Sequence, residues 1–211
     1  MTMIQSIKKV LRSVRHFLLC VKNDPSWHNI KEQSGQLFKR DFQALSRSNL
    51  ELYTRLNHTI LSRYPVLVVD VGANDGWFMR TVLRFHPDAA SFGCEPLKSQ
   101  KATLDELAER YAQLQYRELA VGETEGQTQI REYGTAGLSS LREFGSYQYD
   151  QNHYSTEVVN SYDVEVVRLD RFFAEEQRQL FLKIDTQGFE LEVLRGAEEL
   201  FQRRKVDGIL I

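Results

Sequence analysis

Val68-Val69-Asp70-Val71-Gly72-Ala73-Asn74-Asp75-Gly76 is a β-branched apolar run that ends in an acid and two glycines. The run from Val66 to Val71 has the length and apolar character of a parallel strand buried on both faces. Trp77 to Phe85 follows with helix-compatible spacing. Gly72 and Gly76 let the backbone turn tightly where a ligand must lie against it. Asp70 falls at the carboxyl end of the strand, where open α/β sheets bind ligands at a switch in strand order. The turn departs from the dinucleotide fingerprint Gly-x-Gly-x-x-Gly, because Asn74 holds the second glycine position and Trp77 the third.

The next strand-like stretch, Ser91 to Cys94, ends in Glu95-Pro96. That places a carboxylate roughly 20 residues past the glycine turn, the spacing of an acid that grips a ribose. An acid at each strand end points to an adenosine-type ligand whose other half is cationic rather than phosphorylated. S-adenosylmethionine fits this description, and its ammonium suits Asp70.

A second segment, Leu182-Lys183-Ile184-Asp185-Thr186-Gln187-Gly188-Phe189-Glu190-Leu191-Glu192-Val193-Leu194-Arg195-Gly196-Ala197, joins the first turn, Glu95-Pro96 and Leu138-Ser139-Ser140-Leu141 in one order along the chain. Together these motifs resemble the FkbM family of S-adenosylmethionine-dependent methyltransferases over about residues 66–211. The resemblance implies an α/β fold with a Rossmann-like class I methyltransferase sheet. It also implies O-methyl transfer to a sugar hydroxyl in a glycan, glycolipid or secondary metabolite. By the same resemblance Asp70, Gly72 and Asn74, with Gly76 in the turn, line the methionine end of the cofactor. Glu95 holds the ribose hydroxyls, Glu118 and Ala120 lie near adenine, and Ser139 and Ser140 serve as loop caps or substrate contacts. Asp170 matches a further family position, where it begins an element and reads as a helix cap. One departure is visible, since Gln187 stands where the family more often has Glu; no proton-transfer role is assigned to it. A non-catalytic ligand-binding module that retains the fold is the alternative reading.

A hydroxyl acceptor must lose its proton during methyl transfer. Asp185, at the carboxyl end of a strand predicted over 180–185, is the first candidate for the base or for an acceptor-orienting group. Glu190 falls in the first turn of the next helix, where it either joins the chemistry or caps the helix. Lys183 shares the strand face of Asp185 and is expected to pair with a carboxylate or touch substrate. His153 is the remaining candidate base. Residues 134–162 are rich in Gly, Ser, Tyr and Asn, so Tyr147, Tyr149, His153 and Tyr154 either wall a sugar site or pack on their own loop.

Bulk properties agree with a soluble enzyme acting on a small-molecule or glycan acceptor. The formal charge of −2 over 211 residues excludes a general nucleic-acid binder. Cys20 and Cys94 lie far apart, without metal-ligand spacing, so no metal site is expected and a reduced cytoplasmic protein is the simplest reading. No apolar run approaches the roughly 20 residues of a membrane span.

The organisation divides near Pro65 into an N-terminal helical extension, 1–64, and a methyltransferase domain, 65–211, with helices on both faces of a mostly parallel sheet. Strands are predicted over 66–71, 91–95, 115–121, 127–133, 163–169, 180–185 and from Asp207, and helices over 76–86, 97–113 and 188–203. Ile4, Ile7, Val10, Leu11, Val14, Leu18 and Val21 recur at helical spacing beside Lys8, Lys9, Arg12, Arg15 and Lys22. Residues 1–22 thus read as a helix packed on the domain or on another subunit of a homo-oligomer, or as a weak peripheral membrane contact. Val206 to Ile211 reads as a fifth core strand, after which the domain is expected to be truncated. Its edge would then be covered only by the N-terminal helices or by a partner.

Overall fold

Val66–Val71 forms a strand buried along its whole length, which requires cover on both faces of its sheet. The computed structural model describes residues 16–18, 66–133 and 158–211. In chain order these form β1 (His16–Leu18), β2 (Val66–Val71), α1 (Trp77–Phe85), β3 (Ser91–Cys94), a 3-10 turn (Lys98–Gln100), α2 (Lys101–Arg110), β4 (Leu114–Arg117), β5 (Ala120–Val121) and β6 (Gly126–Tyr133). They continue with β7 (Val158–Val167), α3 (Leu169–Phe172), β8 (Gln179–Ile184), α4 (Glu190–Arg195), α5 (Glu198–Gln202) and β9 (Val206–Leu210). The main sheet is parallel throughout, in the order β1-β9-β8-β2-β3-β4.

Alternate residues of β2 serve the two faces. Val66 and Val68 pack with Phe78, Met79, Val82 and Leu83 of α1 and Leu104 and Leu107 of α2. Leu67, Val69 and Val71 pack with Val193 and Leu194 of α4 and Leu200 and Phe201 of α5. Each such side chain contributes roughly 1.5–3 kcal/mol by leaving water. The amphipathic spacing of α1 supplies its buried face, Asp75 Oδ1 accepts the Trp77 N–H at 3.0 Å, and the helix stops at His86, the residue before Pro87. From β2 the chain builds outward to β3 and β4, then returns to place β8 on the other side of β2. The switch in strand order therefore lies between the carboxyl ends of β2 and β8, where a ligand crevice is expected.

Three predicted elements need correction. The strand predicted over 115–121 is two strands, because a turn closed by the Leu119 N–H on the Arg117 carbonyl carries the chain off the main sheet. Beyond that turn, Ala120–Val121 pairs parallel to Val166–Val167 in a second sheet of order β5-β7-β6, with β6 antiparallel to β7. The helix predicted over 188–203 breaks at Gly196, whose carbonyl accepts the Asp170 N–H at 2.9 Å and whose Cα lies against the Gly122 carbonyl. The strand predicted over 163–169 runs instead from Val158 to Val167, and Leu169 opens α3.

Within the region predicted as an N-terminal helix, His16–Leu18 is a strand in register with Gly208–Leu210, so the outer edge of β9 is paired. Sheet pairing overrides local helical spacing there. The rest of the 1–64 extension and the boundary near Pro65 lie outside the described residues. Among the described residues no helix is long and apolar enough to cross a membrane.

Candidate cofactor crevice and acceptor site

Asp70 and Lys183 are direct neighbours across the β2–β8 pairing, and both point to the face covered by α1. Gly93, the β3 neighbour of Asp70, leaves that face to Met79. Asp70 is fully buried, and its Oδ1 lies 2.8 Å from Lys183 Nζ in an ion pair that lacks hydrogen-bond alignment. Its Oδ2 has no partner. Burial pushes the Asp70 carboxyl up to about 6, with Lys183 opposing. Lys183 Nζ also donates to the Gly72 carbonyl at 2.7 Å, so one ammonium ties the strand end to the turn after it. Lys183 thus pairs with a carboxylate, Asp70, one of the two roles left open by the sequence.

Gly72 holds φ +77, and its Cα lies against the Asp185 carbonyl oxygen, which a methyl group at this position would strike. The close approach of β2 and β8 at the crevice floor therefore depends on glycine. Gly72→Ala is expected to destabilise the protein by roughly 2–4 kcal/mol in urea denaturation, from backbone strain and the clash together. A loss below about 1 kcal/mol would mean that the two strand ends separate freely. Gly76, also left-handed, turns its Cα toward Leu107 and Leu104 at 2.6 and 3.0 Å from an ideal Cβ. Its glycine is thus a packing requirement of α2 on α1, in addition to the tight turn expected of it.

Asn74 adopts φ 49 and donates its N–H to Glu95 Oε2 at 2.6 Å. Glu95 Oε1 accepts the Leu97 N–H at 2.9 Å. Glu95 is buried, which pushes its carboxyl up to about 7 against these two N–H groups. It therefore locks the first turn to the β3 end; each oxygen keeps a further lone pair able to accept another hydrogen bond. Glu118 follows the carboxyl end of β4 and pairs with Lys101 Nζ at 3.0 Å on the rim. Ala120 is a core residue of the second sheet, packed with Ile130, Val164 and Val166. An alanine in a short apolar strand carried no signal that would separate the two sheets.

Asp185 stands at the crevice mouth with its side chain 61% exposed, its Oδ2 4.0 Å from Lys183 Nζ. Its N–H donates to the Val71 carbonyl at 3.0 Å, which fixes it beside Gly72. Glu190 Oε1 accepts the N–H groups of Thr186 and Gly188, both at 3.0 Å. Glu190 thus holds the turn that carries Asp185; this is the capping alternative of the sequence reading, made to the turn before its helix. Thr186 Oγ1, beside Gly72, is buried without a partner. Sequence reasoning missed it, and only its place next to Asp185 could have flagged it. Asp170 Oδ1 accepts the Leu200 N–H at 2.9 Å, so it caps α5 rather than its own helix.

Ser139, Ser140 and His153, with Tyr147, Tyr149 and Tyr154, lie outside the described residues. Cys94 is buried, and burial raises its thiol far above the ordinary range. Among the described residues no cluster has the composition of a metal site. A cavity of about 420 Å³ between Phe92, Phe172, Phe173 and Gln115 lies at the amino-terminal end of the strands, away from the crevice. Its rim arginines, Arg171 and Arg178, pair with Glu125 and Glu176.

The methyltransferase FkbM domain family matches residues 70–211. The O-methyltransferase SfmM3 of Streptomyces lavendulae is 40% identical over 68 residues, which cover 30% of this chain and 20% of that protein. The crystal structure of methyltransferase FkbM from Methylobacillus flagellatus KT aligns with a TM-score of 0.46 at 13% identity, covering 88% of this chain and 47% of that one. In both cases the match spans less than half of the relative's length.

Proposed function

This chain belongs to the FkbM methyltransferase family, and we propose that it transfers a methyl group from S-adenosylmethionine to a hydroxyl oxygen of a sugar in a glycan, glycolipid or secondary metabolite. The observation that carries the cofactor assignment is the unpartnered Oδ2 of fully buried Asp70 at the strand switch. A buried carboxylate oxygen without a partner is costly in a ligand-free protein and suits a cationic group. Asp70 would hold the ammonium, the turn from Gly72 to Asn74 the methionine chain, and Glu95 the ribose. Glu118, at the strand end next along, would lie toward adenine. When bound, the cofactor supplies a methyl carbon on a sulfonium whose departure needs no proton.

What remains for the protein is alignment of the acceptor and removal of its hydroxyl proton. Asp185 takes that proton in this reading, because its carboxylate is exposed at the mouth while its backbone is anchored to β2. Lys183 stays with Asp70, and Glu190 keeps the turn in shape. Titration calorimetry with S-adenosylmethionine, followed by transfer of a labelled methyl group to glycan extract, tests the proposal. Absence of binding by folded protein would refute the cofactor assignment. Binding without transfer to any hydroxyl acceptor would leave a ligand-binding module.

A further inference from the structure

The turn from Asp185 to Gly188 is held more tightly than a strand-to-helix link requires. The Asp185 N–H is bonded to the Val71 carbonyl, its carbonyl rests on Gly72, and Glu190 Oε1 takes the N–H groups on either side of Gln187. Gln187 itself adopts φ 55, a left-handed conformation that a non-glycine residue keeps only when its surroundings impose it. The result is a side-chain amide whose Nε2 donates to Asp185 Oδ1 at 3.3 Å.

We propose that Gln187 is a positioning residue for methyl transfer, whose amide fixes the Asp185 carboxylate with Oδ1 engaged and Oδ2 turned to the crevice beside Lys183. The proposal rests on the reading of Asp185 as the group that accepts the acceptor's proton. An amide is suited to this place because it donates to a carboxylate without bringing charge. Glu, which the family more often has at this position, would set a second carboxylate against Asp185, and two adjacent carboxylates do not ionise independently. Among the described residues, the other charged groups around Asp185 are Lys183 at 4.0 Å, Asp70 behind it, and Glu190, whose Oε1 is engaged by the turn. Lys183 is thus the cation facing Asp185, and it is shared with Asp70.

The test compares wild type, Gln187→Glu and Gln187→Ala. In Gln187→Glu the acid limb of the kcat profile is expected to move to higher pH, so that turnover below the limb falls about tenfold or more. Gln187→Ala is expected to lower kcat roughly tenfold with cofactor affinity unchanged. A purely structural role would lower stability and leave the position of the limb alone. A wild-type profile and kcat in both variants would overturn the proposal. Independently of turnover, the Gln187 side-chain amide resonances of 15N-labelled protein are expected to shift on Asp185→Ala, which removes the acceptor, and their failure to move would also overturn it. Shifted resonances in a wild-type protein that transfers no methyl group would support the positioning contact and count against the function proposed above.

Discussion

Asp70→Asn is expected to weaken binding of S-adenosylmethionine roughly 10- to 100-fold, the worth of one charge-assisted contact, and to stabilise the ligand-free protein above about pH 7. The two effects have one origin. Asp70 is fully buried, and burial carries its carboxyl from 3.8 up to about 6 despite Lys183 at 2.8 Å. A carboxyl raised in the folded state contributes stability that is full below its unfolded value and is lost as pH rises through its folded one. For Asp70 that window runs from about 4 to above 6, and the displacement corresponds to about 3 kcal/mol. Asparagine keeps the shape without the charge, so the variant should melt above wild type at pH 8 and with it at pH 4. A cationic ligand reverses the preference by stabilising the ionised form. Glu95, pushed up to about 7, acts in the same direction. Cofactor affinity should therefore rise with pH between about 5.5 and 8, with protons released on binding below about pH 7. Calorimetry in buffers of different ionisation enthalpy measures both. A pH-independent affinity, or a variant no more stable than wild type at pH 8, would remove Asp70 from this role.

The parts of the site that were legible in the sequence are those that local chemistry specifies. A short β-branched run closed by glycines reads as a strand covered on both faces, and β2 begins and ends where that run does. Gly72 could be read because a tight turn after such a strand has few other solutions, and Glu95 because its spacing from that turn is fixed by one helix and one strand. What escaped depends on partners distant in the chain. Ala120 leaves the main sheet because Val166 offers a register, and nothing near Ala120 encodes Val166. Gly196 breaks a helix because Gly122 and Asp170 meet it there. Glu190 reads as helix cap or catalyst from sequence, and the structure shows the N–H groups of Thr186 and Gly188 converging on one of its oxygens. Gln187 was legible only as a departure from a family pattern, and its left-handed backbone is a feature that sequence does not display.

Asp185→Asn separates the chemistry of the crevice mouth from its architecture. The backbone anchors of Asp185 are its N–H on the Val71 carbonyl and its own carbonyl against Gly72, and neither involves the side chain. Asparagine keeps an oxygen for the Gln187 amide, and the side chain is 61% exposed. Stability should therefore change by no more than about 0.5 kcal/mol, as for other surface substitutions. Cofactor affinity should also hold, since the buried carboxyls assigned to the cofactor in the proposed function are Asp70 and Glu95. Turnover at saturating acceptor, in contrast, is expected to fall about 10²-fold or more, because an amide cannot take a proton from a hydroxyl. The comparison needs only calorimetry, a denaturation curve and a labelled-methyl assay on one variant. Weakened cofactor binding with normal turnover at saturation would make Asp185 a cofactor contact. Unchanged binding and unchanged turnover would move the base elsewhere, with His153 next to be substituted.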